Sequence, residues 1–435
     1  MYRLAAITLT CTLLALPATP PTYAGAGAAP GATAPEPGPV RVIMPTCADE
    51  VVSPQLVTDR HSVSTAAWEC GPHVYAARTT AAGTWTRPVD LAVARQPVAA
   101  TDRRGRVTVA YRMLHGMGIV TRRWANGRWQ RPVEVTQPSH ADSVYVQSHQ
   151  IAVNARGDTL VAWMQKDGQA DGDSYPIYKV AAFRPYDGSW GPTVRVGDRG
   201  WLDATLVDGT GHASILTATI DYEVYRRTPA NQWVAHSAAS IDGDFAGAAG
   251  NAAGAMLVTT FVLWAPTNSV LANEKPSAKP WLPGVEVGAR YPRAHQAPAV
   301  LDSAGRGAVA FVSDTGPVAV ATRPADGAWS PGVPVSPSGR RVHVIRLASR
   351  PGGALAVSWL DGKPGTEQLW LAVRPAAGTW SEPVQVTGSS WTAVHDPQLS
   401  FRPNGDLIAA WSGLLAGHDG IRLVSRVLPT PPPPR

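Results

Sequence analysis

One spacing constrains the fold of this chain more than its composition does. Asp102-x-x-Gly105, Asn154-x-x-Gly157, Asp208-x-x-Gly211, Asn251-x-x-Gly254 and Asp302-x-x-Gly305 repeat a single motif. Arg350-x-x-Gly353 and Arg402-x-x-Gly405 keep its Gly, and Asp59-x-x-Ser62 keeps its Asp. An Asp or Asn that opens a turn, with Gly at positive φ three residues later, closes a short β-hairpin. Successive copies stand 43 to 54 residues apart, the range of propeller blades.

A second signature accompanies the first. "PADGAWSPGVPVS" (Pro324 to Ser336) returns as "PAAGTWSEPVQVT" (Pro375 to Thr387). Each hairpin turn is followed by an apolar strand, such as "TLVAW" to Trp163 or "DLIAAW" to Trp411, then by an alternating strand, a tight turn, Gly-x-Trp and Pro-Val-x-Val. That makes four strands per unit, a to d, with no helical period. Near-continuous Val and Ala suit a strand buried on both faces, and Pro suits strand d because an outer edge has no ladder partner on one side. The Trp entering strand d (Trp85, Trp129, Trp190, Trp233, Trp281, Trp329, Trp380) is read as packing between blades.

Eight hairpins but only seven Trp-led d strands follow from this count. The missing strand is read at the other end, where Pro39-Val40-Arg41-Val42 matches Pro383-Val384-Gln385-Val386. An N-terminal strand completing the last blade closes the ring. The expected fold is all-β, a single eight-bladed β-propeller of four-stranded antiparallel blades. Seven blades is the fallback if a weak unit is misread, and the weakest is the fifth, Gly243 to Val287.

The ends are read separately. Residues 1–24 carry Arg3, an apolar run from Leu4 to Leu16 and small residues up to Ala24, the pattern of a signal peptide. Residues 25–38 are a Gly/Ala/Pro leader without groups to bury, 39–428 form the propeller, and 429–435 are a Pro-rich tail. The apolar run is too short for a membrane span, so a secreted, extracellular monomer without membrane insertion is expected. Export leaves Cys47 and Cys70, and an oxidising compartment pairs them as a disulfide. The net charge of +6 comes from 33 Arg against 5 Lys, spread along the chain without a basic run interleaved with aromatics; nucleic acid is not an expected partner.

Turn, Gly and Trp between the third and fourth strands of a blade resemble the Asp-box of sialidase-like (BNR-repeat) propellers, and the chain is similar to secreted actinobacterial propellers of that type. Asp326-Gly327-Ala328-Trp329 and Asp187-Gly188-Ser189-Trp190 are shorter than the family motif, and most copies lack the Asp. The resemblance implies the propeller fold and secretion. No Arg triad, nucleophilic Tyr with its Glu, or acid Asp of a sialidase maps onto this sequence by motif.

In a propeller the d-to-a and b-to-c loops share one face, where ligands gather around the central channel. His149, His295, His343 and His395 precede their hairpin Gly by 8 to 10 residues, near the channel mouth. They are read either as caps of strand a or as part of a ligand site built by several blades. Trp201 and Trp391 fall in d-to-a loops and are candidates for stacking on a sugar ring. "GARYPRAH" adds Tyr291 and Arg293, and "GDRGWLDA" adds Asp198, Arg199 and Asp203. The acidic loop holding Asp167, Asp171 and Asp173 lacks the spacing of a calcium loop; no metal or cofactor is expected. These residues point to a non-catalytic recognition propeller for an extracellular glycan or protein. A polysaccharide-active hydrolase or lyase at the channel mouth is the alternative.

Overall fold

The computed structural model describes residues 38–428 except 48–50, 81–82, 115–117, 137–144, 167–176, 199, 219–221, 239–240, 242, 263–268, 278, 290–295, 314–315, 338–340, 364, 389 and 417–420. The signal-peptide reading, the leader up to residue 37 and the tail lie outside the described residues. So do His295, Tyr291, Arg293 and most of the acidic loop.

Antiparallel sheets make up the described chain. Blade 3 runs in order through Tyr145–Val153 (a), Thr159–Lys166 (b), Ile177–Arg184 (c) and Val194–Gly197 (d). Blade 4 uses Trp201–Val207, Ala213–Ala218, Tyr222–Arg227 and Trp233–Ser237. Blades 5, 6 and 7 repeat the order from Asp244–Gly250, Ala299–Leu301 and Val342–Ser349; the fifth unit, weakest in sequence, is a complete four-stranded sheet. Blades 1 and 2 share one long strand: Val89–Thr101 pairs with His73–Arg78 through its first half and with Val107–Met113 through its second. It is strand d of the first blade and strand a of the next, without a break.

Ring closure follows the sequence reading. Val40–Cys47 pairs with Ile421–Leu428, outside Leu407–Leu415 and Trp391–Phe401, and so forms strand d of blade 8. Gly38 already donates to the Val427 carbonyl. Cys47 and Cys70 are bonded, with Cα atoms 5.9 Å apart, which ties this strand to strand b of blade 1 (Ser64–Cys70). Each strand a touches that of the next blade, and Trp391–Phe401 touches Val51–Thr58 of blade 1. The eight innermost strands therefore form a closed circle, which establishes the eight-bladed propeller over its seven-bladed fallback.

The core sits between blades rather than within them. Eight apolar clusters among the described residues each draw on two successive blades, as in Leu160, Ala162 and Phe183 of blade 3 with Leu202 and Ile215 of blade 4. Each strand-d Trp packs into the cluster shared with the preceding blade, Trp85 against blade 8 and Trp380 against blade 6. Trp85 Nε1 donates to Ser425 Oγ at 2.7 Å and Trp329 Nε1 to Glu274 at 2.5 Å, both across an interface.

The Asp-x-x-Gly turns do more than close hairpins. Asp102 Oδ1 accepts from the backbone of Arg104 (2.8 Å) and Arg106 (3.0 Å), while Gly105 takes φ +78°. Neighbouring turns are also joined: Arg103 N donates to the Ala155 carbonyl, Asn154 Nδ2 to that of Asp208, and Asn251 Nδ2 to that of Asp302. The motif is thus a chain of inter-blade links on the face opposite the long loops.

Candidate functional site

The loop face offers two features. The first is a recurring β-bulge near the entry of strand a. Register shifts fall at Val52/Gln55, Arg95/Val98, Val146/Ser148, Leu202/Ala204, Phe245/Gly247, Val342/Ile345 and Thr392/His395. Bulges insert an extra residue and re-aim the side chains around it. Ser53, Gln96, Ala393 and Asp396 adopt positive φ there. On adjoining blades Gln296, Arg346 and Asp396 stand fifty residues apart in sequence. Arg346 Nη1 reaches Gln296 Oε1 at 3.5 Å and donates to the Ile345 carbonyl at 3.1 Å. Burial lowers the Arg346 pKa, and the Asp396 charge opposes that shift.

The bulges decide the fate of the channel-mouth histidines. His149 lies beyond its bulge, paired with Trp163, and is only 6% exposed. Burial pushes its pKa down to about 4, against the Ala110 and Gln96 backbone and beside Arg112. It is a neutral interior side chain. His343 lies within its bulge and is exposed, and its Nε2 donates to the Gly362 carbonyl at 2.7 Å, so it ties strand a to the b-to-c loop of its own blade. His395 is half-buried on the irregular start of strand a in blade 8. Among the described residues no three His, Cys, Asp or Glu groups stand together as a metal site.

The two tryptophans also part. Trp391 is 4% exposed and meets Trp411 edge-on, ring centroids 5.9 Å apart. It belongs to the core between blades 7 and 8, not to an exposed platform. Trp201 is 64% exposed at the first position of strand a in blade 4.

The second feature is an open cleft of about 500 Å³ between blades 3 and 4, lined by Arg195, Val196, Gly197, Asp198, Glu223 and Tyr225; Trp201 follows Asp198 by three residues and is not part of this lining. Gly197 is required by its surroundings: a Cβ there would lie 2.5 Å from the Tyr225 hydroxyl and 3.3 Å from Lys179 Cε. The Tyr225 hydroxyl donates to Glu223 at 2.5 Å, and Arg195 Nε to Asp198 at 2.6 Å with its guanidinium over the Tyr178 ring. Beneath the wall, Lys179 is fully buried, and its ammonium makes no hydrogen bond within the described residues. Burial lowers its pKa, opposed by the charges of Glu223, Asp203 and Asp198. Tyr225 is raised, by burial first and then by Glu223. The cleft therefore presents fixed acceptors and one guanidinium donor.

Sequence reasoning named Trp201, Asp198 and Asp203 but missed Glu223, Tyr225, Arg195 and Lys179. "YEVYRR" and "IYKVAAF" read as ordinary alternating strands, and only the meeting of two blades gives their ends a shared purpose.

No protein-family model matches the chain, and no curated protein does. Solved structures do. The BP39L lectin from Burkholderia pseudomallei superposes with a TM-score of 0.53 at 12% identity, over 77% of this chain and 99% of the lectin. The polysaccharide lyase Uly1 gives 0.47 at 8% identity over 89% and 91%, and YCF48 bound to D1 peptide gives 0.44 at 12% over 92% and 98%. The first likeness shows the fold, a β-propeller, in agreement with the resemblance read from the turn-Gly-Trp motif. Among the described residues no helix is long and apolar enough to cross a membrane.

Proposed function

We propose that this chain is a secreted recognition propeller that binds a carbohydrate, without turning it over, in the cleft between blades 3 and 4. The observation that carries the reading is a cleft walled by Asp198, Glu223 and Arg195, with the exposed Trp201 three residues beyond Asp198 at the start of the next strand. An indole face covers the C–H side of a sugar ring while carboxylates and a guanidinium take its hydroxyls. A volume of about 500 Å³ suits a small ligand, which favours a sugar over a folded protein partner. The Cys47–Cys70 bond is the chemistry of an oxidising compartment.

A polysaccharide-active enzyme is the second reading. It is supported by His343 and His395 on adjacent bulged strands that also carry Arg346 and Asp396. A glycan array with the mature protein and its Trp201→Ala variant, run beside reducing-end and unsaturated-product assays, separates the two. Saturable binding lost in Trp201→Ala, with no product, supports recognition. Turnover abolished by His395→Ala or His295→Ala overturns it.

A further inference from the structure

On the opposite face, we infer an oxyanion site between blades 2 and 3 that takes the sulfate or phosphate esters of an acidic polysaccharide. This site is independent of the loop-face reading. Arginines scattered through the sequence converge here. Arg104 and Arg106 come from the a–b turn of blade 2, Arg123 from the end of its strand c, and Arg184 from the end of strand c in blade 3. The guanidinium groups of Arg104 and Arg106 both lie against the Tyr186 ring, 4.6 and 4.4 Å from its centroid.

Counter-charge is short. Asp102 holds Arg106 Nε at 2.5 Å and stands 3.8 Å from Arg123 Nη2. Asp187 also acts on Arg123. Asp158, whose Oδ1 accepts from Tyr186 N, pairs with Arg156 instead, so Arg104, Arg106, Arg123 and Arg184 face Asp102 and Asp187. Arg123 Nη2 and Arg184 Nε are buried N–H groups without a hydrogen-bond acceptor in the described residues. Burial, then the charges of Arg123 and Arg106, push Arg184 down to about 10. Crowded like charges with spare donors are the condition an arriving anion relieves, and the planar guanidinium fork matches a tetrahedral oxyanion.

Two further observations set the ligand class. Arg103 and Arg128 are exposed on the same run of turns, while Arg156 is paired with Asp158 at 3.2 Å; Arg103 and Arg128 continue the positive charge beyond one ester group along an extended chain. The aromatic faces here are occupied: Tyr186 is covered by two guanidiniums, and Trp124 meets Trp129 edge-on at 5.6 Å. Bases seeking a stacking platform find none, which favours an acidic polysaccharide over single-stranded nucleic acid.

The test uses the full mature chain on immobilised dextran sulfate, with neutral dextran and duplex DNA as comparison matrices. Two charge-matched doubles are compared, Arg103→Ser with Arg104→Ser, and Arg341→Ser with Lys363→Ser from the loop side. Unchanged thermal midpoints confirm that both are folded. Loss of one charge-assisted contact weakens dextran sulfate binding about tenfold in the first double only, while neutral dextran is not bound. Equal weakening in both doubles, or in neither, overturns the site. Duplex DNA held as tightly as dextran sulfate overturns the polysaccharide assignment.

Discussion

Gly157 of blade 3 lies against the Asp102 carboxylate of blade 2, so close that a methyl group on it would stand 2.8 Å from Oδ2. The relation repeats around the ring: Gly105 faces Asp59, Gly211 faces Asp158 and Gly254 faces Asp208. Each glycine is demanded twice, by its own positive φ (+105° at Gly157) and by the turn before it. Gly305 has φ +84° and open space around it. Gly305→Ala is therefore expected to cost only the backbone strain, about 1–2 kcal/mol. Gly157→Ala adds the collision and should cost at least about 1 kcal/mol more. Urea unfolding of the pair measures the difference, and equal losses would remove the energetic role of the inter-blade contact.

This contact also marks where the sequence stops being legible. Asp and Gly at fixed spacing declare a hairpin because the turn is local chemistry. The strand-d Trp, the edge Pro and the matching Val40 and Val42 were readable for the same reason, and the closure of blade 8 followed by counting. What lies between blades was not readable. Lys179 in "IYKVAAF" sits in an ordinary alternating strand, yet blade 4 closes over it. The four His looked equivalent, but a one-residue bulge reverses which face a side chain occupies. His149 therefore turned inward and His343 stayed outside. The Arg104, Arg106, Arg123 and Arg184 cluster spans eighty residues and exists only once two blades meet.

The Cys47–Cys70 bond joins the two ends of the ring. Strand d of blade 8 is held otherwise by its ladder to Ile421–Leu428, a pairing of residues almost the whole chain apart. Replacing both Cys by Ser is expected to lower stability by roughly 3 kcal/mol, the loop-closure contribution for a bridge of this span (sequence separation 23). Amide exchange should accelerate first in Val40–Cys47 and leave blade 4 protected. Uniform acceleration throughout would mean that closure is not the weak point of the fold.

His149 makes stability depend on acid. Its folded pKa of about 4 lies below the ordinary value of 6.5, so between these values the unfolded chain binds a proton that the native chain refuses. Stability is then full above pH 6.5 and falls as pH drops toward 4, by roughly 3 kcal/mol from this one group. His149→Gln should flatten the stability profile over that window while leaving the neutral-pH slope unchanged. Denaturant midpoints from pH 4 to 7 measure it. An unaltered acid slope in the variant would show that His149 is charged, and therefore solvated or paired, in the folded protein.

Trp201 and Trp391 hold comparable places in sequence, each opening strand a of its blade, and the fold gives them opposite work. Trp391 is enclosed against Trp411, and truncating it to Ala should cost about 3–5 kcal/mol through the cavity left in the core of blades 7 and 8. Trp201 stands 64% exposed, and its truncation should change stability by less than about 0.5 kcal/mol while removing the exposed indole that the recognition reading assigns to a sugar ring. Thermal unfolding and titration with an array-selected glycan, made on both variants, separate packing from recognition. Binding that survives in Trp201→Ala and fails in a still-folded Trp391→Ala would move the ligand away from blades 3 and 4, toward the channel mouth beside Arg346 and Asp396.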